Sequence, residues 1–92
     1  MATAAPNVTL KVADMDIERT RVAQKLATDL LSSGEKNETQ LAKALKSHFD
    51  AAFSPKWHCV VGAEFGSDVT HRAGDFIFFF VGNLGIILFR AP

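Results

Sequence analysis

The chain has no tyrosine, one tryptophan, one cysteine and three prolines among its 92 residues, and its ten basic residues are balanced by ten acidic ones. Each shortage excludes something. The lone Cys59 cannot close an internal disulfide, which points to a reducing compartment. Zero net charge with interspersed signs removes the basic face that nucleic-acid binding needs. No apolar run approaches the roughly 18 residues of a membrane span. The start, Met1-Ala2-Thr3-Ala4-Ala5-Pro6, lacks the charged and hydrophobic regions of a secretory signal. Without that signal, the sequons Asn7-Val8-Thr9 and Asn37-Glu38-Thr39 are chance matches. Repeats and low-complexity tracts are also absent. The expectation is one domain over residues 8–92, a disordered N-terminal tail over 1–7, and neither a nucleic-acid nor a membrane partner.

What is present is concentrated in the last third. Phe76 to Val81 is six consecutive apolar residues. Strands send alternate residues to opposite faces. Phe76, Phe78 and Phe80 therefore share one face, and Ile77, Phe79 and Val81 the other. A chain this short buries only roughly 60–65% of its unfolded surface. It can cover one of these faces with helices but lacks material for the second. The second face is expected to meet another chain.

The rest of the pattern predicts an α+β fold of two helices on a mainly antiparallel sheet. Val8, Leu10 and Val12 alternate in a short strand over Val8–Ala13. Asp14 or Asp16 can cap a following helix, whose stripe is Val22, Leu26 and Leu30 with Ala23, Ala27 and Leu31 beside them. Gly34 suits its left-handed end. Asn37 with Gln40 resembles a capping box for a second helix. Its stripe is Leu41, Ala44, Leu45, His48 and Ala52, flanked by Phe49 and Phe53, while Lys43, Lys46 and Asp50 face water. Ser54-Pro55 ends it. Strands follow over Trp57–Gly62, Phe65–Thr70, Asp75–Val81 and Leu84–Arg90, and Gly82-Asn83 forms a two-residue hairpin turn.

Candidate chemistry is sparse. Among His58, Cys59 and His71, the first two point to opposite faces of a regular strand and cannot hold one metal ion. Cys59 shares a face with Trp57 and Val61 and reads as a small buried hydrophobe. His48, on the helix stripe, reads as a satisfied, partly buried histidine. No metal site, cofactor or catalytic residue is expected. The polar segment Phe65–His71 makes a plausible edge strand, and an open edge can take a peptide as an extra strand.

The motifs Trp57-His58-Cys59-Val60-Val61-Gly62, Phe65-Gly66-Ser67-Asp68-Val69-Thr70-His71, Phe76–Gly82 and Ile86–Arg90 resemble the small dimeric light chains of cytoplasmic and axonemal dynein, as does Lys11-Val12-Ala13-Asp14-Met15 more loosely. The resemblance implies a face-to-face homodimer with a swapped edge strand and no catalytic activity. It implies a hub that binds short extended peptides, with dynein intermediate chains and other proteins carrying linear motifs as partners. The implied location is the cytoplasm and cytoskeleton, including the axoneme of a cilium or flagellum. Carried over residue by residue, Phe65, Gly66, Ser67, Val69, Thr70 and His71 match the groove strand, and Phe76, Phe78 and Phe80 the aromatic wall. Lys11 and Asp14 match the groove mouth, and Glu38 a helix-start residue that meets the target's glutamine. His58, Val60, Phe65, Ser67, Asp68 and Thr70 match the dimer interface, where protonation of His58 weakens pairing.

The chain departs from the family at identifiable places. Tyrosine is usual where Asp68, Phe78 and Phe80 stand, a lysine where Thr39 stands, and a penultimate serine where Ala91 stands. Asp68 and Thr39 make the groove less positive. Two rival readings remain: a dedicated axonemal subunit with fixed partners, and a small carrier holding an apolar ligand in a phenylalanine-lined cavity.

Overall fold

The computed structural model describes residues 7–35, 37–63 and 72–91. Six elements follow in order: β1 (Val8–Met15), α1 (Ile17–Ser32), α2 (Glu38–Phe53), β2 (Trp57–Gly62), β3 (Asp75–Val81) and β4 (Leu84–Arg90). The strands form one antiparallel sheet in the order β1-β3-β4-β2. The helices pack on one face of it, so the expected α+β architecture holds. The expected strand over Phe65–Thr70 lies outside the described residues.

Local signals account for the element ends. Asp16, not Asp14, caps α1, accepting from Arg19 N–H at 3.1 Å; β1 runs through Asp14 to Met15 instead. Asn37 caps α2 by accepting from Gln40 N–H at 3.0 Å. The reciprocal bond of a capping box comes from elsewhere: Glu35 Oε1, not Gln40, accepts the Asn37 N–H. Gly34 has φ +100°, a conformation that L side chains rarely adopt. In the β3–β4 hairpin Gly82 has φ +60° while Asn83 stays out of the left-handed region, which suits a type II′ turn. Asn7 already belongs to the sheet end, its carbonyl accepting from Gly82 N–H at 2.8 Å.

The core lies between the helices and the face carrying Trp57, Ile77, Phe79, Val81, Ile86 and Leu88. Both helices are rotated from the expected stripes. On α2 the buried residues are Leu41, Leu45 and Phe49, while His48 and Ala52 are exposed. Neighbouring helix positions differ by about 100°, so seating the bulky Phe49 turns His48 outward. His48 is therefore not the partly buried histidine expected. On α1 the centre is Thr20, Ala23 and Ala27, with Val22, Leu26 and Leu30 only partly buried. Small side chains sit where the helix approaches most closely, and the larger ones fill the flanks. Asp50 does not simply face water: it accepts from Trp57 N–H at 2.7 Å.

Candidate functional site

β2 is an outer strand, and no described strand pairs on its side away from β4. The first half of α2 runs beside it. Between them lies a groove of about 310 Å³ lined by Glu38, Thr39 and Ala42 from the helix and Cys59, Val60 and Val61 from the strand. Glu38 and Thr39 are there as expected. Ala42 and Val61 were not foreseen, because helical and strand periodicities show which face a residue takes but not which element comes alongside. Cys59 joins the groove while packing on the core. Burial pushes its thiol up to about 12, so at neutral pH it is protonated and a poor nucleophile.

The second region is the sheet face opposite the helices. Paired residues on antiparallel strands share a face. The register sets Val12 opposite Phe78 and Asp14 opposite Phe76, Ile87 opposite Phe78 and Phe89 opposite Phe76, and His58 opposite Phe89 and Val60 opposite Ile87. Phe78 and Phe80 have ring centroids 5.4 Å apart, and His58 stacks on Phe89 at 5.3 Å. Val12 and Val60 are 49% and 48% exposed. Between them Phe76 and Ile87 are buried, so this face is exposed chiefly at its β1 and β2 margins. Lys11 sits where the β1–β3 register shifts between Leu10 and Val12, with its ammonium 5.8 Å from the Phe80 ring centroid. Asp14 accepts from Gly74 N–H at 3.1 Å.

The predicted groove residues thus fall into two groups within one chain. Glu38 and Thr39 line the β2 groove. Lys11, Asp14, Phe76, Phe78 and Phe80 lie on β1 and β3, with β4 between them and β2. Phe65, Gly66, Ser67, Asp68, Val69, Thr70 and His71 lie outside the described residues. Of the expected dimer-contact residues, His58 and Val60 are exposed on the sheet face opposite the helices.

A third feature was missed in the sequence. Asp75, 5% exposed at the head of β3, accepts from Arg19 Nη1 at 2.9 Å and from Arg90 Nε and Nη2 at 3.0 and 2.8 Å. Arg19 also pairs with Asp16 and donates to the Gly74 carbonyl at 2.6 Å. Both guanidinium carbons approach the Trp57 ring, at 5.5 and 5.2 Å from its centroid. Burial by itself would raise the Asp75 pKa; the bonds from Arg19 and Arg90 outweigh it and hold the carboxyl below its ordinary range. The only sequence signal was an acid opening an otherwise apolar strand.

Among the described residues, no three His, Cys, Asp or Glu side chains gather as a metal site, and no helix is long and apolar enough to cross a membrane. The sequence profile of the family described as Dynein light chain type 1 matches residues 7–91. The chain belongs to this family. Solved relatives share the fold. The dynein light chain-like domain of the Fasciola hepatica calcium-binding protein FhCaBP2 superposes with a TM-score of 0.77 at 19% identity, covering 95% of this chain and 93% of that one. The DLC-like domain of CsTAL3 superposes at 0.74 with 16% identity over 90% of each chain. The family is in general non-catalytic, and its members typically dimerise and bind partners.

Proposed function

We propose that the protein is a homodimeric, non-catalytic hub of a dynein motor complex that captures extended segments of partner proteins by strand addition. The observation that carries this reading is one sheet whose face away from the helices is apolar and carries half-exposed Val12 and Val60 and, continuous with it, an outer strand bordering a groove. The apolar face suits a second copy, the β2 edge a strand donated by that copy, and the groove beside them an extended chain. Pairing of two copies is also the means by which the two groups of groove residues come together. Two segments held by one dimer gain through effective concentration. The dynein intermediate chain is the leading partner, and the cytoplasmic or axonemal cytoskeleton the setting. The carrier reading is disfavoured, because the described groove holds none of the phenylalanines.

Calorimetric titration of extended peptides tests capture. With Asp68 on the groove strand, as the family resemblance implies, and Thr39 in place of a lysine, the groove is less positive, so standard Thr-Gln-Thr peptides bind weakly relative to peptides with Lys or Arg opposite Asp68. One partly exposed pair contributes about 0.2–1 kcal/mol, a few-fold in affinity at most, and the preference fades with salt. It should vanish in Asp68→Asn; if it persists there, Asp68 does not set specificity. No heat with any extended peptide would overturn the capture reading.

Acidification gives a second test. His58 stacks on Phe89 within the face proposed to pair. Burying an imidazolium there is costly, and the weak charge interaction with the Asp50 carboxylate offsets only part of that cost. Lowering the pH toward about 5 should shift dimer to monomer. His58→Gln should dimerise at all these pH values and His58→Lys at none. Equal dimerisation of all three by sedimentation would remove His58 as the switch.

A further inference from the structure

The first backbone donor on the edge of β2 that no described strand pairs with is already occupied. Trp57 N–H donates to Asp50 Oδ1 at 2.7 Å, on the side away from β4. The opposite residue, Arg90, independently reports the same orientation. Its carbonyl accepts from Arg72 N–H at 2.9 Å, on the β3 side, so it does not point at Trp57. Antiparallel pairs alternate between bonded and non-bonded. Trp57, Cys59 and Val61 therefore direct their N–H and C=O groups to this edge, while His58, Val60 and Gly62 bond to β4.

Asp50 stands where the helix itself disfavours it. It lies in the last turn of α2, next to the negative end of the helix dipole. Lys46, whose ammonium donates to Asp50 Oδ2, and the Trp57 amide compensate. Together they hold the carboxyl below its ordinary range.

We infer that Asp50 is a register stop for strand addition: by occupying the Trp57 donor, it makes Cys59 the first amide of β2 that an added strand can use. The hydrophobic pattern cannot do this alone. A slip of one residue turns every side chain to the wrong face, but a slip of two restores the alternation. A two-residue slip toward Trp57 is therefore permitted by side-chain packing and forbidden by the blocked donor. The inference rests on the proposed dimer, since it takes the added strand to come from a second copy. Continuity supports that occupant: His58 and Val60 of this strand are exposed on the sheet face turned away from the helices, so a copy covering them reaches this edge.

Amide hydrogen exchange of the full chain, read by NMR below and above its association midpoint, tests the stop. In wild type, Cys59 and Val61 amides gain protection on association, and Trp57 is protected equally in both states. Asp50→Asn keeps the acceptor oxygen and behaves as wild type. Asp50→Ala accelerates Trp57 exchange roughly tenfold in the monomer, and that amide then becomes protected on association. If Trp57 gains protection together with Cys59 and Val61 in wild type, the dimer reading stands and the stop is overturned. If neither Cys59 nor Val61 responds in wild type, both fall. Unchanged Trp57 exchange in folded Asp50→Ala overturns the stop as well. The wild-type comparison decides the matter alone should Asp50→Ala fail to fold.

Discussion

Asp75→Ala is expected to lower the stability of the fold by about 3–5 kcal/mol, because it strands two partly buried guanidinium groups around Trp57. The two arginines reach Asp75 from opposite ends of the chain, Arg19 from the first turn of α1 and Arg90 from the end of β4. Removing the carboxylate therefore leaves two charges without their shared partner and loosens the junction of both elements with β3. Against a total of roughly 5–15 kcal/mol for a domain, such a loss is severe. Urea unfolding at one fixed protein concentration measures it, since any association would otherwise shift the midpoint. A change under about 1 kcal/mol would show that the cluster is exposed enough to be screened.

The same cluster has a pH signature. The folded Asp75 carboxyl is held below its ordinary range, so the unfolded chain binds this proton more readily. The contribution is complete above the ordinary carboxylate value of about 3.9 and disappears as pH falls through the lower, folded value. Wild type and Asp75→Ala should therefore differ most at neutral pH and converge in strong acid. A gap that stays constant between pH 7 and pH 2 would assign the loss to packing, not to charge.

Val60→Asp is expected to abolish pairing while leaving the single chain folded. Val60 is 48% exposed in one chain, so a carboxylate there is solvated and costs the monomer little. In the proposed dimer it is buried against a second copy, and two-fold symmetry places two such charges in the same interface. Each unpaired buried charge costs several kcal/mol, so association should weaken about a thousandfold or more, the equivalent of roughly 4 kcal/mol. Sedimentation equilibrium at micromolar concentration reads the outcome, and far-UV circular dichroism checks the fold. The near-isosteric Val60→Thr should retain most of the pairing. Wild type sedimenting as a monomer, or Val60→Asp dimerising like wild type, would remove this face as the contact between copies.

How much of this was legible in the chain depended on distance along it. The alternation in Phe76–Val81 determined by itself that one strand would carry two apolar faces, and Ile77, Phe79 and Val81 do face the helices while Phe76, Phe78 and Phe80 do not. The bounds of β2, β3 and β4, the Asn37 cap and the Gly82 turn were readable for the same reason: each depends on residues within one or two turns of chain. Tertiary structure alone decided the rest. The rotation of α2 followed from where Phe49 fits, which turned His48 outward. Asp50 looked like a solvated acid until β2 came alongside. Asp75 found its partners 56 and 15 residues away, and the expected groove residues separated because β4 inserted between β3 and β2. Periodicity constrains which way a side chain points relative to its own element, whereas partners across the fold depend on the order in which strands join a sheet.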